Sequence, residues 1–312
     1  MVTGPIIPTP GAVMECTKLL YEYLGDLIVL DVGGATTDLH SVTVESDQVA
    51  RLMISPEPKA KRTVEGDLGV YVNRWKVVES IGEEKLREQC REQGFSMEHA
   101  LETYRAIPKT EEEVKLVELL TREAVVKAAE RHAGRLRYIY GPSGRSTVAE
   151  GKDLTQVKYI VGTGGALTRL PHREEIMREI TRCNESGMLL LPGEHAQILV
   201  DHDYIMASLG VLSKRYPQAA ARLLEQSLGI TFPERKAEEP VPVCNKELSR
   251  LGTQRQQREE ELQRHIEECE AMGYDMSAYR ENKPKAGDCS HECSRCTRLH
   301  CPNRTTQEGA SS

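Results

Sequence analysis

The sequence predicts an α/β fold, and three observations lead there. Leu27-Ile28-Val29-Leu30 is an apolar run that leads into Asp31 and a glycine pair, Gly33-Gly34. A run of that length reads as a strand buried on both faces. Lys158-Tyr159-Ile160-Val161 is a second strand-length run, followed directly by Gly162-Thr163-Gly164-Gly165 and then by a helical pattern over 166–180. Between the two, residues 80–131 are charged with helical periodicity. Strands interleaved with helices are the pattern of an α/β fold.

Length and composition bound this reading. A chain of 312 residues has room for about two domains. A formal net charge of −7 argues against a nucleic-acid footprint. No apolar run approaches the length of a membrane span, and the first residues lack the basic-then-apolar pattern of a signal peptide. Of nine cysteines, Cys16, Cys90, Cys183, Cys244 and Cys269 are scattered, whereas four crowd into 289–301. That distribution suggests reduced thiols in the cytoplasm with one local metal site, not a secreted disulfide framework.

Taken in order, residues 11–24 predict a helix with Val13, Leu19, Leu20 and Leu24 on its inner side. After the glycine pair, Leu39 to Glu45 alternates apolar with polar residues, so the chain leaves the turn as a strand. The expectation is a β-hairpin over 38–54 turning at Ser46-Asp47, then a polar segment over 55–62. Thr63 to Gly69 then reads as a loop opening a helix through Trp75. Thr110 and Glu113 fit a capping box ahead of the apolar stripe Val114, Val117, Leu120 and Val125. Gly134 is expected to close that helix in the left-handed conformation, with His132 bonded to its last carbonyls. Arg137–Tyr140, Met188–Leu191 and Gln197–Val200 read as further strands. Asp201 or Asp203 is expected to cap the helix through Leu212; metal ligation by Asp201-His202-Asp203, or Asp201 turned into a cleft, is the alternative. Pro233, Pro240 and Pro242 mark a linker over 231–246, which separates a first region, 1–230, from a charged helix and tail over 247–312.

The chemistry concentrates at the first turn. Glycines let backbone N–H groups approach an anion closely, because no Cβ intervenes. Asp31, at the strand end, is placed to hold a metal ion or its water, with Asp38 and Glu65 as further acids. Glu65 and Asp67 read equally well as caps of a helix N-terminus. Gly33, Gly34, Ala35 and Thr36 would line the phosphates. A strand–Asp-Xaa-Gly-Gly–strand hairpin differs from a P-loop or a dinucleotide-binding turn, both of which open a helix. It resembles the phosphate hairpin of the actin, sugar-kinase and Hsp70 superfamily. Gly162, Gly164 and Gly165 form a second place where backbone meets a helix start, and would face the adenosine. ATP with Mg²⁺ is the expected ligand, since the cation neutralises the β- and γ-phosphates while an acid orients the attacking water.

The tail carries a separate signal. Cys289, Cys293, Cys296 and Cys301 lie close enough together to close around one metal. Zn²⁺ held by four thiolates, or by three and a histidine, is expected; an iron–sulfur cluster is the alternative, which Cys301-Pro302 also suits.

Several ordered motifs resemble one family. Asp31-Val-Gly-Gly-Ala-Thr-Thr-Asp38, Arg62-Thr-Val-Glu-Gly-Asp-Leu-Gly69, Arg131-His-Ala-Gly134, Gly151-Lys-Asp-Leu154, Val161-Gly-Thr-Gly-Gly-Ala-Leu167 and Asp203-Tyr-Ile-Met-Ala207 are similar to the glutamate-mutase-associated MutL family over about residues 1–229. The resemblance implies an actin-like ATPase (ribonuclease H-like) fold and ATP-driven exchange of damaged cobalamin. The implied partner is an adenosylcobalamin-dependent amino-acid mutase acting on glutamate, ornithine or lysine. It also implies a first lobe with an Asp-Xaa-Gly-Ser/Thr turn, a motif that these residues do not contain. That lobe is expected on a missing segment or on a separate polypeptide, and ATPase activity is expected of the chain only with it. The cysteine tail is not part of the resemblance. A hydantoinase- or oxoprolinase-like ATP-linked hydrolase and a non-catalytic nucleotide-binding module are the competing functional readings.

Overall fold

The computed structural model describes residues 7–141, 144–184 and 186–233. Helix α1 (Thr9–Leu24) leads into strands β1 (Leu27–Val32) and β2 (Thr37–Val42), a short helix α2 (Asp47–Ala50) and strand β3 (Ala60–Glu65). Four helices follow, α3 (Arg74–Ile81), α4 (Glu83–Glu92), α5 (Met97–Thr103) and α6 (Glu111–His132). Strands β4 (Arg135–Gly141) and β5 (Gly144–Glu150) pair only with each other. Then come β6 (Tyr159–Thr163), α7 (Gly164–Arg169), α8 (Arg173–Arg178), a 3-10 turn at Glu179–Thr181, β7 (Gln197–Val200), α9 (Met206–Ser213) and α10 (Pro217–Leu228). The main sheet runs β3-β2-β1-β6-β7. Its first three strands are antiparallel, and β1, β6 and β7 are parallel.

This is the expected α/β architecture, with a mixed five-stranded sheet. The alternation of β1 sorts its side chains between two layers. Leu27 and Val29 face α1, α9 and α10 in one cluster, together with Leu20, Val161 and Leu224. Ile28, Leu30 and Val32 face the other, where Leu116, Leu120 and Val125 of α6 pack with Leu167 and Ile176. All four residues Leu27 to Leu30 are fully buried, as a strand covered on both faces requires. Helix α6 starts with both halves of the expected capping box: Glu113 N–H donates to Thr110 Oγ1, and Thr110 N–H to Glu113 Oε2.

Several sequence expectations are corrected. There is no hairpin over 38–54. Ser46 caps α2 instead, its hydroxyl accepting from Val49 N–H while its own N–H and hydroxyl donate to Asp153. The partner of β2 is β3, in the segment expected to be polar coil; as an edge strand with alternate residues exposed, it lacks an apolar signal. The helix expected through Trp75 begins only at Arg74. The helix over 166–180 breaks because Pro171 has no N–H and holds Leu170 extended, at φ −66° and ψ 140°. Met188–Leu191 forms only an isolated bridge from Leu189 to Arg135. Gly134 does not adopt a left-handed cap: Ala133 ends α6 extended, and a Cβ on Gly134 would lie 2.6 Å from the Gly151 carbonyl carbon. Glycine is needed there for close approach. His132 is structural, as expected, but through other partners: its ring nitrogens meet Ser41 Oγ at 2.8 Å and Thr63 Oγ1 at 2.9 Å. Apart from residues 231–233, the expected linker and the charged helix and cysteine tail lie outside the described residues.

Helix α9 packs directly on α1, where a Cβ on Gly210 would stand 1.7 Å from the Ala12 carbonyl oxygen. Gly210→Ala should therefore destabilise the fold by about 1–3 kcal/mol, as overpacking typically does. Gly66→Ala, at a glycine with no atom within 4 Å of an added Cβ, should change it little. Urea unfolding of both variants checks this; equal midpoints would contradict the packing.

Candidate functional site

The turn between β1 and β2 is held from below. Gly33 N–H donates to Thr36 O at 2.9 Å. Gly33 O accepts from Val70 N, and Gly34 O accepts from Tyr71 N at 2.9 Å and Val72 N at 2.7 Å. Asn73 Nδ2 donates to Ala35 O and Gly66 O. Gly69 lies flat against Ala35, because a Cβ there would come within 2.2 Å of its carbonyl carbon. The turn's carbonyls are thus tied to the 66–73 segment. The N–H groups of Gly34, Ala35 and Thr36 find no acceptor among the described residues. Backbone amides left without an internal acceptor are free to donate to a ligand.

Parallel pairing brings the second turn to the same place. Asp31 pairs with Thr163, and α7 starts at the next residue. Gly164, at φ +85°, sits directly on β1: a Cβ would stand 2.5 Å from Asp31 Oδ1. Gly165 is exposed, and with Gly34 it lines a cleft of about 510 Å³. Tyr71, Tyr104, Arg169 and Tyr204 line it further, and the Tyr71 and Tyr104 rings stack at 5.8 Å between centroids. Gly162 lies elsewhere. Its missing side chain makes room for Met177, whose Sδ would be 2.6 Å from a Cβ, so it serves the core instead of facing a nucleoside.

The acids differ in their surroundings. Asp31 and Asp38 are register partners, which puts both on the sheet face that carries α1 and α9. Burial, then Asp38, then Asp201 push the Asp31 carboxyl up to about 6. Asp38 is almost fully buried, and burial raises its pKa against the Thr36 hydroxyl bond and the Arg62 charge; its Oδ1 has no partner. Asp201 is saturated. It accepts from Thr163 Oγ1 and Met206 N on one oxygen and from Ser227 Oγ and Ile205 N on the other. It takes the first N–H groups of α9 from four residues back, whereas the N-cap position is Ile205 and not Asp201 or Asp203 as expected; it has no oxygen left for a metal. Glu65 does not join this group: it pairs with Thr37 in register, on the other sheet face, and binds Arg131 of α6 at 2.7 Å. Asp67 grips the same guanidinium through both oxygens, so neither acid caps a helix. Among the described residues no three His, Cys, Asp or Glu side chains group as a complete metal site. Cys289, Cys293, Cys296 and Cys301 lie outside them.

Sequence reasoning missed the cleft's aromatic side. Tyr71, Tyr104 and Tyr204 come from three separate segments with no periodicity to link them. Tyr204 has φ +55°, the single left-handed non-glycine backbone among the described residues. That conformation is a signal only coordinates give, and one that concentrates at functional sites.

The Asp31 shift has a stability consequence. Its folded pKa, about 6, lies above its ordinary 3.8. Its contribution is therefore fully present below about pH 3.8, is lost as pH rises through 6, and is flat above. Asp31→Asn should match the wild type near pH 4 and exceed it by about 1–2 kcal/mol at pH 7.5, discounted for partial exposure. Denaturant titrations at both pH values measure the difference; a variant less stable at pH 7.5 would contradict the assignment.

A family model described as MutL protein matches residues 1–228. Protein MutL of Clostridium tetanomorphum is 35% identical over 239 residues, covering 73% of this chain and 52% of the relative. The chain thus spans about half the length of that relative. The family resemblance drawn from the ordered motifs is confirmed: this chain belongs to the MutL protein family.

Proposed function

We propose that the chain is the nucleotide-gripping half of an actin-like ATPase that reactivates an adenosylcobalamin-dependent amino-acid mutase. The observation that carries the nucleotide reading is that Gly34 and Gly165, from two separate glycine turns, line one cleft, with Asp31 lying against the neighbouring Gly164. The amides of Gly34, Ala35 and Thr36 would hold phosphate oxygens. Gly165 and the tyrosine wall would take the nucleoside. The residues also fit a magnesium ion brought in on the phosphates, which needs only one or two carboxylates from the protein. Asp31 has no competing side-chain donor, and Asp38 Oδ1 is a buried oxygen without a partner. Bound there, Mg²⁺ would neutralise charge on the β- and γ-phosphates. Asp31 would hold the ion or orient the attacking water, and Asp38 would support it from the adjacent strand.

The mutase enters through the family resemblance. Freeing damaged cobalamin means opening a packed enzyme, and a ligand shifts such an equilibrium only through differential affinity for its two states. A nucleotide cleft that closes on ATP and opens after hydrolysis supplies that difference, given a second lobe to close against. The chain's coverage of half its relative leaves length for such a lobe, within the same polypeptide or in another. The four tail cysteines are proposed to bind one zinc ion or an iron–sulfur cluster.

The test is functional. Mutase run to inactivation should regain activity with the complete factor, Mg²⁺·ATP and fresh adenosylcobalamin, but not with a non-hydrolysable ATP analogue. Asp31→Ala should lower ATP turnover by on the order of a hundredfold, as the loss of one transition-state contact does. Recovery that is equal without ATP, or undiminished turnover in Asp31→Ala, would overturn the proposal.

A further inference from the structure

A second pocket, of about 420 Å³, lies at the root of the β4–β5 ribbon. Lys61 of β3, Arg131 of α6, and Arg135 and Arg137 of β4 line it, with Glu150 as its one acid. Four cations from three elements thus converge on one concavity, in a chain whose net charge is −7. The convergence is built into the backbone. Gly134 and Gly151 (φ +87°) lie in mutual contact at the pocket's base, where a Cβ on either would come within 2.9 Å of the other. Their approach sets the first residues of β4 against the last of β5.

Ordinary structural partners account for part of this charge. Lys61 Nζ lies 3.4 Å from His132 O, at the C-terminus of α6 where the helix dipole favours a cation, and 3.5 Å from Glu57. Arg131 is held by Glu65 and Asp67. Arg137 meets Glu150 at 2.7 Å, but both side chains are more than half exposed, and such pairs exchange partners at little cost. Arg135 is exposed and bonds no acid among the described residues. Neither helix dipole nor fold stability calls for two arginines on β4 facing the same hollow.

We propose that this pocket is a second anion site, distinct from the glycine-turn cleft, and that it takes a phosphate-bearing ligand. Guanidinium forks match phosphate oxygens in pairs, and Arg135, with no acid partner among the described residues, stands beside Arg137, whose exposed pair with Glu150 exchanges readily. Arg135 and Arg137 supply the forks and Lys61 a point charge from the opposite wall. Arg131 adds its field while keeping its grip on the 65–67 loop.

Calorimetry with inorganic pyrophosphate, at constant ionic strength set with KCl, tests this. Ala35→Glu places a carboxylate in the glycine turn and removes that site from the measurement. With this change alone, saturable pyrophosphate binding should persist; adding Arg135→Ala and Arg137→Ala should weaken it at least tenfold. Arg135→Lys with Arg137→Lys, which keeps charge and loses the forks, should fall between. If the double alanine variant melts early, Arg135→Glu alone, on an exposed side chain, gives the same reading. No saturable binding in Ala35→Glu, or binding unaffected by the β4 changes, would overturn the second site. Mg²⁺·ATP binding by the β4 variants with Ala35 intact reads the first site separately, and it should be unchanged.

Discussion

Strand β1 can end beside the second glycine turn only because residue 164 has no side chain. A Cβ there would stand 2.5 Å from both Asp31 Oδ1 and the Val32 carbonyl oxygen, and the backbone at φ +85° is one that other residues rarely adopt. With glycine in place, β6 pairs in parallel with β1 as far as Asp31 and Thr163 and then turns straight into α7. The rest of the site depends on that closeness. It puts Gly165 opposite Gly34 across one cleft, and it shields Asp31 from water. In open parallel sheets ligands gather at the carboxyl ends of strands, and here two such ends are drawn together.

Crowding three carboxylates on one sheet face would be costly if all were left alike. Asp201 is satisfied by four donors and becomes a fixed anchor for the start of α9. Asp38 keeps one bond to Thr36 and the field of Arg62, with one oxygen unmatched. Asp31 has burial and two like charges against it and no donor in compensation. The same sequence letter thus yields a structural group, an intermediate one, and one poised to take a proton or a cation. Perturbed acids of this kind concentrate at functional sites, although structural networks produce them too.

Much of the site was legible because it is local in sequence. The apolar run before Asp31, the glycine pair and the strand–glycine–helix order at 159–169 each depend on near neighbours. The capping box at Thr110 and Glu113 was legible for the same reason. What the sequence hid was decided by distant partners. Strand β3 reads as polar coil because it is an edge, and its identity comes from pairing with β2. Glu65 looked like a cleft acid until its register opposite Thr37 put it on the face with Arg131. Gly134 and Gly162 invite local explanations, a cap and a ligand contact, but each is glycine because Gly151 or Met177 lies against it. The tyrosines of the cleft come from three separate segments, so no motif gathers them.

The proposed nucleotide site joins two glycine turns far apart in sequence. Protein labelled with ¹⁵N at glycine alone and titrated with Mg²⁺·ATP tests it most directly. The account predicts that the amide signals of Gly33, Gly34, Gly164 and Gly165 move along one saturation curve, while those of Gly82 and Gly94, remote on the helical layer, stay fixed. Movement at one turn without the other, or at neither, would contradict it.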